Sequence, residues 1–143
     1  MDFFSILLGF ALGLLGSYLG LLVQRSWQKK DDRDYTHQVL QSLIAEIEEG
    51  LDRAMMMAKL ADEGGASFGR IYTALWESSN QRLAATLRDT KTLKLLHQIY
   101  YRFELINFNC DHRRPDAGSA FAREYAAEIE ANLTSLQGLI RKG

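Results

Sequence analysis

Several stretches of this 143-residue chain carry residue types that could do chemistry. Cys110, Asp111 and His112 stand together and are zinc-ligand types, but a zinc site needs four ligands at characteristic spacing and a second pair is missing. Di-iron helical bundles use Glu-x-x-His on two helices, and that motif does not occur. Gly65-Ala66-Ser67-Phe68-Gly69 matches G-x-S-x-G, yet a nucleophile elbow requires a preceding strand and the preceding residues read as helix. Gly64 to Arg70 resembles half a phosphate-binding loop, with Arg70 and Ile71 standing where Lys and Ser/Thr are required. Glu46, Glu48, Glu49 and Asp52 follow helical spacing and read as a charged, solvated face. His97 lies beside Lys94 and Tyr101 with no nucleophile in register, and Met55, Met56 and Met57 read as soft core fillers more than as a partner surface. No set converges on catalysis, so the expectation is a non-enzyme with no cofactor, metal or small-molecule substrate.

Composition narrows the class further. The net charge of −1 and a pI near 6.3 leave no basic field for nucleic acid. One cysteine excludes an intrachain disulfide and fits a reducing compartment. The length supports one core beyond the N-terminal stretch.

The elements that must position these residues begin with Phe3 to Val23, which has no charged side chain and as a helix covers roughly the ~30 Å hydrocarbon core of a bilayer. It reads as a transmembrane helix. Gly9, Gly13, Gly16 and Gly20 fall within about 60° of one another at ~100° per residue, a face on which another helix can pack closely. No basic residue precedes the stretch and no Ala-x-Ala site follows it, which argues against a cleaved signal peptide. Arg25, Lys29, Lys30 and Arg33 follow it, so the positive-inside bias places the C-terminal domain in the cytoplasm and the N-terminus outside. Arg25, Trp27, Lys29 and Lys30 read as interfacial anchors.

No Gly or Pro interrupts the chain between Leu21 and Glu49, and Leu40, Leu43, Ile44, Ile47, Leu51, Ala54, Met55, Ala58 and Ala61 form one stripe. The helix can therefore run on to about Asp62; the alternative is a break near Lys30 to Asp34 with Asp34 as a new N-cap. Gly50 inside the stripe implies close packing of another element. Asp62 to Gly69 reads as a flexible turn. A short helix is expected at Ile71 to Glu77, with Trp76 as a core or lid residue, followed by polar Ser78, Ser79 and Asn80 and a turn through Leu83 and Leu87.

Asp89 or Thr90 caps a helix from about Lys91 to Phe108. One face of it carries Leu93, Leu96, Ile99, Tyr100, Phe103 and Ile106, and a second carries Tyr101, Leu105 and Phe108. A helix apolar on two sides is central or has an external partner, which makes Tyr101, Leu105 and Phe108 a candidate partner surface. Asn107 reads as closing the helix end. Asn109 to Gly118, with Pro115, reads as a loop, and Ser119 as the cap of a last helix striped by Phe121, Tyr125, Ile129, Leu133, Leu136 and Ile140. This helix should pack antiparallel to the one before it.

Leu40-x-x-Leu43-x-x-Glu46, Thr73-Ala74-Leu75-Trp76-Glu77, and Tyr100 or Tyr101 before Asn107 resemble small prokaryotic single-pass membrane proteins of unknown function. Gly50 stands where that pattern carries Asn. The resemblance implies architecture, a cytoplasmic helical bundle behind one span, and no activity.

The reading is an all-α protein: a transmembrane helix over residues 1–24, a neck over 25–34, and a three- to four-helix cytosolic bundle over 35–143. The expected location is the inner membrane, with lipid and either further copies or another membrane protein as partners. The expected role is an accessory or scaffold subunit of a membrane complex, assembling through the glycine face and the bundle. The alternative is an oligomeric pore gated by the bundle.

Overall fold

A computed structural model describes residues 3–64, 69–112 and 115–141, with backbone alone for 3–12, 115 and 116. Four helices and no strand are found among them: α1 Phe3–Asp62, α2 Ala74–Thr86, α3 Thr90–His112 and α4 Pro115–Ile140. The all-α reading holds. The chain divides into two compact units, Met1–His37 and Gln38–Gly143.

In the first unit the expected span is not supported. Among the described residues no helix is long and apolar enough to cross a membrane. This overturns the inner-membrane, single-pass placement with its N-terminus outside.

The second unit is built on the stripe that begins at Leu40. Leu40, Leu43, Ile47, Leu51 and Ala54 are buried, as i, i+3, i+4 spacing requires of one helix face. Met57 joins them at 3% exposure, whereas Met55 and Met56 are 40% and 66% exposed, so only one of the three methionines fills the core. α1 ends where Gly64 takes a left-handed φ of 74° and donates its N–H to the Ala61 carbonyl, the turn that releases a helix C-terminus.

α2 is longer than its polar middle suggests. The expected turn after Glu77 does not form, because the Ser78 and Ser79 hydroxyls fold back onto the Leu75 carbonyl at 3.0 and 2.6 Å and are accommodated within the helix. Asp89 caps α3 as expected, accepting from the Lys91 N–H at 3.0 Å and the Thr92 hydroxyl at 2.6 Å. These bonds hold its carboxyl below the usual range, the Thr92 bond contributing most. α3 then runs four residues past Phe108, so the expected loop from Asn109 is its last turn. Pro115 opens α4 where a missing N–H is harmless, and Ser119 lies buried inside the helix and is not its cap.

Paired residues give the directions of packing. Arg102 reaches Glu128 at 3.0 Å, and Gly118 lies against Cys110, so α3 and α4 are antiparallel. Asp62 with Arg123 and Glu48 with Gln137 set the second part of α1 antiparallel to α4. Tyr100, Phe103, Ile106, Ile129 and Leu136 fill the space between, each 1% exposed or less. Gly50 is where the approach is closest: a Cβ there would stand 2.7 Å from Phe103 Cζ, which confirms the expected tight packing.

Candidate functional site

The residues preceding and opening α2, Ile71 to Trp76, are held from two sides by polar side chains. Thr73 occupies the N-cap position but makes no capping bond; its hydroxyl donates to Glu77 at 2.7 Å. The exposed N–H groups of the first turn need an acceptor. Glu46 of α1 supplies it: Leu75 N–H donates to Oε1 at 3.0 Å and Trp76 N–H to Oε2 at 3.3 Å. Tyr100 of α3 donates its hydroxyl to the same Oε2 at 2.7 Å. Glu46 is therefore a half-buried helix cap in trans and not part of a solvated face.

The second hold is Asn107. Its side-chain oxygen accepts from the Ile71 N–H at 2.8 Å and its amide donates to the Ile71 carbonyl at 2.9 Å. One buried side chain thus satisfies both backbone groups of one residue, in place of the helix-ending role its position suggested.

Aromatic rings complete the arrangement. Trp76 is 4% exposed and stacks on Tyr100 at 4.7 Å with an interplanar angle of 4°, which assigns it to the core. Tyr100 meets Phe103 edge-on at 5.8 Å, and exposed His97 meets Trp76 edge-on at 4.9 Å. Burial pushes the Tyr100 phenol far above its usual range, and the bond to the Glu46 carboxylate adds to it. Such a phenol holds its proton throughout the neutral range.

Beside this network lies an open pocket of about 190 Å³ lined by residues including Arg70, Glu77, Glu104, Asn107, Phe108 and His112. Ligand pockets run to roughly 300–1,000 Å³. Asn107 is already engaged with Ile71, Glu77 with Thr73, and Arg70 with Asp111 at 3.4 Å. The pocket therefore offers few unspent polar groups.

The Cys110, Asp111 and His112 cluster sits in the last turn of α3, and no group of three or more metal-ligating side chains is found among the described residues. Burial raises the Cys110 thiol, with Asp111 adding to the shift and Arg70 opposing it. Next to Gly118, the fully buried Ser119 hydroxyl finds no hydrogen-bond partner among the described residues. Residues 65–68 of the G-x-S-x-G stretch lie outside the described residues.

The candidate contact residues fall in both units. A Cβ added at Gly13, Gly16 or Gly20 would meet nothing within 4 Å, and Gly9 is outside the residues whose surroundings are described. Leu14, Leu15, Tyr18, Leu19, Leu21, Leu22 and Val23 are all 44–61% exposed, and Trp27 is 70% exposed. Arg25, Lys29 and Lys30 are exposed as well. On α3, Tyr101 and Phe108 are 56% and 53% exposed and Leu105 is half-buried. Phe108 stacks on His112 at 4.5 Å.

Sequence reasoning missed Glu46 and Asn107 as organising residues. A usable signal existed for Glu46, which is three residues from Leu43 and four from Gly50, at the margin of the buried stripe. Glu46, Leu75, Trp76, Tyr100 and Asn107 meet around the start of α2. No protein-family model matches the chain, and neither a curated protein nor a solved structure matches it.

Proposed function

We propose that this protein is a non-enzymatic accessory or scaffold subunit that assembles with further copies of itself or with another protein through exposed helix faces. The observation that carries the reading is the run of seven large apolar side chains between Leu14 and Val23, all standing open. Contiguous apolar surface of this kind marks an interaction site. Covering half of one leucine contributes on the order of 1 kcal/mol, so a face of several such residues suffices to hold a partner.

Gly13, Gly16 and Gly20 serve in this reading as the line of closest backbone approach, since the space beside each is open. Tyr101, Leu105 and Phe108 form a second contact surface. The non-enzymatic part rests on how the polar groups are spent: Glu46 and Asn107 bind backbone, and Tyr100 keeps its proton.

Sedimentation velocity on the purified chain tests the proposal. The wild type should sediment as an assembly, and Gly13→Ile combined with Gly16→Ile should shift it toward monomer. An assembly of unchanged size in the double variant would remove the glycine line from the contact.

A further inference from the structure

We draw no further inference here: the strongest candidate, the open pocket beside the start of α2 that runs onto the exposed α3 face of Tyr101, Leu105 and Phe108, is an unpartnered surface, and nothing in the structure shows what covers it.

Discussion

Glu46 accepts three hydrogen bonds with one carboxylate, two from backbone N–H groups and one from a buried phenol. Bonds to a charged acceptor contribute about 1.5–3 kcal/mol each, and losing the acceptor strands donors that have no other partner. Glu46→Ala is therefore expected to lower stability by about 2–4 kcal/mol in urea unfolding, and Tyr100→Phe by about 1–2 kcal/mol. The double variant should fall short of the sum by at least ~0.5 kcal/mol, because both changes remove the same bond; strict additivity would mean that the bond contributes nothing in solution. Tyr100 also sets a pH dependence. Its folded-state proton is held far above the usual phenol range, while the unfolded chain gives it up near pH 10. The stabilisation it brings is complete below about pH 10 and is lost as the pH rises beyond that, so stability should fall with alkali in the wild type and fall less steeply in Tyr100→Phe. Two glycines give opposite signs for one substitution. Gly50→Ala places a methyl against Phe103 and Ile71, and the ~1–3 kcal/mol of overpacking outweighs the ~1 kcal/mol gained in helix propensity. Gly138→Ala meets open space and should stabilise by up to about 1 kcal/mol, measured in the same unfolding series.

Among the elements, α2 depends most on the others. Its opening is fixed by Glu46 from α1 and its lead-in by Asn107 from α3, whereas α3 and α4 bury continuous stripes against the core. Asn107→Leu removes both bonds to Ile71 and leaves a buried N–H and C=O without partners, at about 1–3 kcal/mol for each stranded group. Hydrogen exchange should then rise at 69–76 while the middle of α3 remains protected; uniform loss of protection would show that α2 is not a separable element. The same contrast explains what the amino-acid order disclosed. The buried faces of α1, α3 and α4 were legible because each repeats at three and four residues, and Asp89 because its capping targets, Lys91 and Thr92, are adjacent in the chain. The polar centre of α2 misled because serines that bond back to Leu75 look in sequence like serines that end a helix. The α3 terminus misled because Pro115 stops one helix and begins another with equal ease, and here it begins α4. The Glu46 cap joins residues about thirty positions apart, and no local rule connects them.

For the whole molecule, the described core and the exposed apolar run occupy different parts of the chain. Every fully buried large apolar residue named in the core lies between Leu40 and Leu136, inside the unit Gln38–Gly143, whereas Leu14 to Val23 belong to Met1–His37. A fragment comprising residues 38–143 should therefore fold without the first unit, unfolding in one cooperative transition and keeping the near-ultraviolet circular dichroism of Trp76 packed on Tyr100. Its sedimentation then separates the two contact surfaces. If the full chain associates and the fragment is monomeric, assembly runs through the first unit and the glycine variants should reproduce the loss. If the fragment associates like the full chain, the surface is the α3 face, and Leu105→Asp should dissolve it by burying a charge at the centre of the contact, a penalty of several kcal/mol. A full chain and a fragment that are both monomeric at micromolar concentration would overturn self-assembly and leave another protein as the partner of these faces.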